Sequence, residues 1–193
     1  GSAHPETLVL IHGGGGHIES FAHNIVPLGR HFHTISMDML WHGLSDAPPI
    51  EDPTVQIGEQ ILDLMDALGK DKVWIHGEAA GAGPVRWIAL NHPERLNGLI
   101  FEGAGGAGGA IPRTDSSPPP PLSKSGQTMG QLTLKILENP EWDLMHERLL
   151  MVMHKDHPEH VTDELVDIRM ALYSRPDTND GMTRYYQYTS SRG

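Results

Sequence analysis

The sequence has 193 residues, of which 25 are acidic and 14 are basic, giving a formal net charge of −11 at pH 7. This balance argues against nucleic-acid binding, which needs a basic face to neutralise phosphates. No apolar run approaches the ~20 residues that span a bilayer, and no signal-peptide pattern opens the chain. We therefore expect a soluble, cytoplasmic protein without membrane association. The absence of cysteine excludes disulfides, thiolate nucleophiles and cysteine-ligated zinc.

The N-terminal half alternates between short β-rich runs and segments whose apolar residues have helical spacing. Strands are predicted at Thr7–Ile11, His33–Met37, Lys72–His76 and Leu96–Glu102. Helices are predicted at Ser20–Arg30, Thr54–Leu68 and Pro84–His92. One apolar face of the first helix is predicted to carry Phe21, Ile25, Val26 and Leu28. Strands separated by helices favour a parallel sheet with helices on both faces, so residues 1–111 are predicted to form an α/β core.

The composition changes after the fourth predicted strand, where glycine, proline and serine dominate. The run Pro118–Pro121 predicts an extended surface connector rather than a docking motif, because so short a polyproline segment specifies little. Beyond it only helices are predicted, at Met129–Leu137, Trp142–Met153, Val161–Ser174 and Gly181–Tyr188. Core or pocket-lining roles are expected for Met145, Leu149, Leu150, Met151 and Met153. Residues 112–193 are thus predicted to form a linker and a helical lid.

Two turns of small residues are candidates for chemistry. Gly77–Gly81 lies between a strand and a helix and has the frame of the nucleophile elbow G-x-S-x-G, with Ala79 at its centre. The run Gly13–Gly16 follows the first strand. Acyl chemistry commonly uses two backbone N–H groups to stabilise an oxyanion, and we expect them from Gly14 and Ala80. A phosphate-binding loop is disfavoured, because no Lys-Ser/Thr follows the glycines.

The motifs HGGGG, MDMLWHGLSD and GEAAG, each after a predicted strand, resemble the α/β-hydrolase fold. LIFEGAGGAGG and the lid segment MHKDHPEHVTDELVDIRMALYSR resemble its meta-cleavage-product hydrolase branch. The resemblance implies hydrolysis of a carbon–carbon bond in a 2-hydroxy-6-oxo-dienoate-type ring-fission product, without a cofactor. It also implies that Arg169 binds the carboxylate of this small-molecule substrate, and it is compatible with a homo-oligomer. The alternative for Arg169 is an exposed helical arginine paired with Asp163. Gly15 is expected beside the substrate, and Glu78 either contacts substrate or hydrogen-bonds within its turn.

The chain departs from this branch at the centre of the elbow, where Ala79 stands in place of the family's serine nucleophile. A Ser-His-Asp mechanism cannot run without that serine, so an inactive Ser-to-Ala variant is predicted, whether engineered or natural. The family's acid and histidine follow later strands, so the resemblance implies that this sequence is truncated at both ends. Two alternatives stay open: an ester or lactone hydrolase with the same elbow, and a catalytically silent ligand-binding protein.

Other polar residues have simpler interpretations. Glu102, at the end of the fourth strand, is either a relocated triad acid or an exposed strand-end carboxylate, and the second is favoured. His12 is expected to orient the glycine turn rather than to act as a base. A polar surface rather than a metal site is predicted for His154, Asp156, His157 and His160. The reason is that Pro158 interrupts the stretch and that no known zinc-ligand spacing is present.

Overall fold

The computed structural model of the protein describes residues 4–103, 122–153 and 156–191. The chain divides into two compact units, residues 1–113 and 114–193. The predicted domain boundary at residues 111 and 112, the run Pro118–Pro121 and His154 lie outside the described residues. Within the described ranges, no helix is long and apolar enough to cross a membrane.

The first unit is built on a four-stranded parallel sheet with the strand order β2-β1-β3-β4. The strands are β1 (Thr7–Ile11), β2 (His33–Met37), β3 (Val73–Glu78) and β4 (Leu96–Glu102). β1 lies inside the sheet, between β2 and β3, and all five of its residues are buried. A strand buried on both faces is apolar at successive positions rather than at alternate ones, which is the pattern of the sequence TLVLI. The predicted parallel sheet is confirmed.

Three helices connect these strands: α1 (Ala22–Leu28), α2 (Pro53–Ala67) and α3 (Ala82–Asn91). α2 begins where the Asp52 carboxylate accepts the N–H groups of Thr54 and Val55, at 3.0 and 3.3 Å. Pro53 occupies the first turn, where its missing N–H costs nothing. The apolar face of α2 buries Ile57, Ile61 and Met65. Helical spacing and a capping residue therefore give α2 nearly the predicted bounds.

Several details of the first unit differ from the predictions. The first helix begins at Ala22 rather than Ser20, because Ile18–Phe21 forms a separate 3₁₀ turn that buries the Phe21 ring. Val26, predicted on the apolar face of that helix, is 66% exposed. The third strand runs on to Glu78, so Gly77 belongs to β3 and not to the turn after it.

The second unit is helical in its described residues: α4 (Met129–Glu138), α5 (Trp142–Leu150), α6 (Asp163–Tyr173) and α7 (Pro176–Ser190). α4 begins with a capping box, in which Thr128 Oγ1 accepts the Gln131 N–H and Gln131 Oε1 accepts the Thr128 N–H. α5 ends at Leu150, three residues before the predicted Met153, and α7 is longer than predicted at both ends.

The core of the second unit contains a buried charge. Arg148 is 2% exposed, its Nε donates to Thr133 Oγ1 at 2.7 Å, and its guanidinium carbon lies 6.0 Å from the centre of the Tyr173 ring. A buried guanidinium needs such polar and aromatic partners to offset its lost hydration. Met145 and Leu149 pack in the core as predicted, whereas Leu150 and Met151 are only partly buried.

Candidate functional site

The turn after β3 holds Ala79 in a left-handed conformation, with φ at +44°. Ala79–Gly81 forms a 3₁₀ turn between the end of β3 at Glu78 and the start of α3 at Ala82. An L-residue with a Cβ takes up positive φ only at a cost, because its Cβ approaches backbone oxygen. The predicted strand–turn–helix frame is thus present, with the strained residue at the elbow's centre.

Close backbone contact explains the second glycine of the elbow. A Cβ on Gly81 would lie 2.6 Å from the His12 carbonyl oxygen and 2.9 Å from the Ile11 carbonyl oxygen. No side chain fits at such distances, so only glycine lets the start of α3 approach the end of β1. The sequence pattern G-x-x-x-G therefore serves packing as well as turn geometry at this point.

His12 organises the glycine turn that follows β1. Its Nε2 accepts the Met39 N–H at 3.0 Å, and its Nδ1 lies 2.8 Å from the Gly13 carbonyl oxygen. A ring nitrogen that accepts an N–H carries no proton itself, so Nδ1 holds the ring proton and donates it to Gly13. His12 is fully buried. It orients the turn, as the sequence indicated.

The glycine turn and the elbow meet at the carboxyl ends of β1 and β3. The Gly13 N–H donates to Glu78 Oε2 at 3.4 Å, and a Cβ on Gly13 would lie 3.3 Å from both Ala79 Cβ and Glu78 Oε1. Gly15 has φ at +69°. The hydrogen bond of Glu78 is therefore made to the glycine turn after β1 and not within its own turn. Its contact with substrate stays a prediction. The oxyanion roles of Gly14 and Ala80 stay predictions.

Asp38, directly after β2, holds two loops beside the glycine turn. Its Oδ1 accepts the Ile18 N–H at 2.8 Å and its Oδ2 accepts the Leu44 N–H at 3.0 Å. Asp38 is 8% exposed, and hydrogen bonds to a charged acceptor are stronger than neutral ones. No sequence motif predicted a role for Asp38; the available signal was its position directly after a strand and before the turn-forming stretch WHGLSD.

Three fully buried imidazoles lie together behind the glycine turn. The ring centres of His12, His17 and His42 are 5.3 to 6.5 Å apart. His42 Nδ1 lies 3.0 Å from the Leu40 carbonyl oxygen. His12 and His17 follow the first strand, whereas His42 follows the second. No sequence motif predicted that the three rings would meet. One of the three, His12, is the residue that also bonds to Gly13 and Met39.

Glu102 contacts a histidine of the neighbouring strand. His76 Nε2 lies 3.1 Å from Glu102 Oε2, and the His76 ring packs edge-on against Phe21 at 5.6 Å. His76 is buried, whereas the Glu102 side chain is 73% exposed. The favoured interpretation of Glu102 as an exposed strand-end carboxylate agrees with this exposure. The pairing itself was missed, because it depends on the β3–β4 register.

One open groove of the first unit does not contain the elbow. It has a volume of about 490 Å³. It lies between the loop after β2 and the exposed side of α2. Its lining is Leu40, Leu44, Ser45, Asp46, Gln56, Glu59, Gln60 and Asp63. None of the predicted site residues belongs to this set. This groove therefore does not mark the candidate site, which is defined instead by the backbone geometry at the two turns.

Arg169, on α6, is only 5% exposed. The alternative of an exposed helical arginine is therefore wrong, because the side chain is buried. A buried guanidinium is uncommon unless it is paired. Its role toward a substrate carboxylate stays a prediction.

Comparisons with known proteins agree with the architecture. The sequence profile of the alpha/beta hydrolase fold family matches residues 6–184. The 2-hydroxy-6-oxo-6-(2'-aminophenyl)hexa-2,4-dienoic acid hydrolase of Metapseudomonas resinovorans is 34% identical over 105 residues, which cover 52% of this chain and 36% of that protein. The 2-hydroxy-6-oxo-6-phenylhexa-2,4-dienoate hydrolase of Burkholderia cepacia is 27% identical over 175 residues, which cover 88% of this chain and 57% of that protein.

A solved structure gives the same result. The meta-cleavage product hydrolase CumD from Pseudomonas fluorescens IP01, as a serine-to-alanine mutant complexed with acetates, matches with a TM-score of 0.72 at 25% identity. The match covers 94% of this chain and 61% of that one, so the chain spans less than two thirds of the length of these relatives. The profile match, the parallel sheet and the elbow together show that the chain belongs to the alpha/beta hydrolase fold family.

Proposed function

We propose that this chain forms the substrate-binding part of a hydrolase for 2-hydroxy-6-oxo-dienoate-type compounds, and that with Ala79 it binds such a compound without cleaving it. The observation that carries the proposal is the left-handed backbone of Ala79, at φ +44°. Strained residues persist only where the surrounding structure imposes them, and they concentrate at functional sites. The substrate class is supported by the names of the two similar curated hydrolases.

The chemistry explains why binding and cleavage separate at this residue. Hydrolysis of a bond next to a ketone requires an oxygen nucleophile to add to the carbonyl carbon, which leaves negative charge on the carbonyl oxygen. The proposed donors to that oxygen are the N–H groups of Gly14 and Ala80, which are backbone groups and do not depend on the residue 79 side chain. The Ala79 methyl group supplies neither an attacking oxygen nor a proton. A bound ketone therefore stays intact.

Two other functions use the same elbow. An ester or lactone hydrolase would need the same oxyanion donors but no group for a substrate carboxylate. A catalytically silent binding protein would keep the pocket and never regain turnover. A ligand panel tests the first of these alternatives: a dienoate acid, its methyl ester, and an uncharged lactone. We expect the acid to bind most tightly in a calorimetric titration of the chain.

The carboxylate preference is expected to depend on Arg169. Arg169→Ala should weaken binding of the acid by ~1.5 to 3 kcal/mol, the value of a charge-assisted hydrogen bond, and should change binding of the ester little. Because Arg169 is 5% exposed, Arg169→Lys serves as a second variant that keeps the charge but loses the bidentate geometry. Equal losses for acid and ester in both variants would indicate a structural role instead.

The position of the ligand is tested at Ala79 itself. Ala79→Leu fills the centre of the elbow and should abolish dienoate binding, whereas the matched change Ala89→Leu in α3 should leave it intact. Ala79→Ser should keep the affinity. Unchanged binding in a folded Ala79→Leu variant would contradict the proposed site.

Turnover separates the binding role from catalysis. Within these residues Ala79→Ser should produce no loss of the dienoate chromophore, because His12 is held by backbone bonds and no histidine follows His160. In a longer polypeptide that supplies the later acid and histidine, the same change should raise single-turnover cleavage by roughly 10⁶-fold. Cleavage by the 193-residue Ala79→Ser chain would refute the expectation that these residues supply no catalytic base. A further His76→Gln change would then test the imidazole paired with Glu102 as the base.

A further inference from the structure

Two histidines and a glutamate converge at the turn that precedes α6. Nitrogen and oxygen ligand atoms of His157, Glu159 and His160 all lie within 4.8 Å of one another. His157 Nδ1 is 2.9 Å from Glu159 Oε1. The His157 and His160 rings are stacked, with centres 5.3 Å apart and planes 11° apart. All three residues are exposed, so they are accessible to an ion from solvent.

The geometry follows from Pro158. Pro158–His160 forms a 3₁₀ turn with the proline at its first position, where its fixed φ suits the turn and its missing N–H costs nothing. A 3₁₀ turn has three residues per turn, so side chains at positions i and i+3 eclipse one another. The same proline that argues against an α-helical ligand face therefore brings the imidazoles of His157 and His160 into register.

The chain contains a second turn of nearly the same sequence with a different use. His92-Pro93-Glu94-Arg95 forms the same 3₁₀ turn; the backbone angles of His92 are −137° and 49°, and those of His157 are −131° and 52°. Its fourth residue is Arg95, which donates to Asp66 Oδ1 at 2.6 Å and to the carbonyl oxygens of residues 70 and 71. His92 Nδ1 lies 3.7 Å from Glu94 Oε1. In that turn the fourth side chain, Arg95, makes hydrogen bonds within the fold. In the turn before α6 the fourth residue is His160, which adds a second imidazole.

We propose that His157, Glu159 and His160 bind a divalent first-row transition metal ion such as zinc, nickel or copper. We expect no binding of magnesium or calcium at this site. Two imidazole nitrogens and one carboxylate oxygen form a donor set that suits these borderline metals, whereas magnesium and calcium prefer all-oxygen sites. Three protein ligands leave at least one coordination position for water.

The first experiment is a calorimetric titration of the untagged 193-residue chain with ZnCl₂, NiCl₂ and MgCl₂. We expect one zinc ion and one nickel ion to bind per chain, with no heat from magnesium beyond dilution. Absence of saturable zinc binding would overturn the proposal.

The matched variants use the chain's own second turn. His160→Arg converts HPEH into the HPER of the other turn and should weaken zinc binding about tenfold or more, since even changes outside the ligand set cost this much in metal sites. His157→Gln should do the same, and His92→Gln is the control that should bind as the unchanged chain does. Equal zinc affinity in His160→Arg, or an equal loss in His92→Gln, would show that the ion binds elsewhere.

The unfolding temperature shows whether a variant that binds zinc weakly is still folded. The ligands are exposed, so the unfolding temperature without metal should be the same for the unchanged chain and for His160→Arg. Saturating zinc should raise that temperature in the unchanged chain only, because an ion that binds the folded state alone stabilises it. A rise of the same size in His160→Arg would contradict the site.

Discussion

Replacing Ala79 with glycine tests whether the elbow is strained. An L-residue in the left-handed region costs about 1 to 2 kcal/mol relative to its ordinary conformation, and Ala79 has φ at +44°. Glycine does not have this cost, but it loses about 0.5 to 1 kcal/mol more backbone entropy on folding. Ala79→Gly should therefore leave the free energy of unfolding unchanged or raise it by up to ~1.5 kcal/mol.

The matched control is Ala89→Gly, an alanine inside α3. In a helix interior that change should lower the free energy of unfolding by about 1 kcal/mol, so the two variants should differ by about 1 to 2.5 kcal/mol. Urea unfolding followed by tryptophan fluorescence and circular dichroism measures both, with equal m-values as the check that the same transition is compared. Equal destabilisation by the two glycines would refute the strained elbow, and with it the observation on which the proposed function rests.

Two further changes test interactions in the two units. Asp38→Asn leaves one acceptor oxygen for two backbone N–H groups, and should lower the free energy of unfolding by ~1.5 to 3 kcal/mol in urea titrations. The control Asp46→Asn, on the same loop, should change it by less than ~0.5 kcal/mol. Equal effects of the two changes would contradict the role of Asp38 in holding the two loops. In the second unit, the Ser125 N–H donates to Glu147 at 2.7 Å and lowers the pKa of that carboxyl. A lowered folded-state pKa stabilises the fold above the unfolded value near 4.5, and this stabilisation is lost as pH falls through the folded value. The stability difference between the unchanged chain and Glu147→Gln should therefore be present at pH 7 and shrink as the pH falls below 4.5; a difference independent of pH would contradict the bond.

Local sequence patterns determined the elements of the first unit. The strands Thr7–Ile11, His33–Met37 and Leu96–Glu102 have the predicted bounds, because β-rich runs bounded by turn-forming residues are local signals. The elbow was also readable, since small residues between a strand and a helix are required wherever two backbones approach closely. Val26 shows the limit of this reasoning: its helical spacing placed it on an apolar face, but nothing in the described fold covers that position and it is 66% exposed.

The contacts that make the candidate site were decided only by the tertiary structure. Glu78 reaches the Gly13 N–H across 65 positions of sequence, and His76 meets Glu102 across 26. These pairs exist because strand order places β3 between β1 and β4 and because register aligns their ends. Periodicity within a segment tells which face a side chain takes, but it carries no information about which strand lies beside it. The elbow also contains a non-local contact, since a Cβ on Gly81 would lie 2.6 Å from the His12 carbonyl oxygen, in the same turn that holds Ala79 at positive φ.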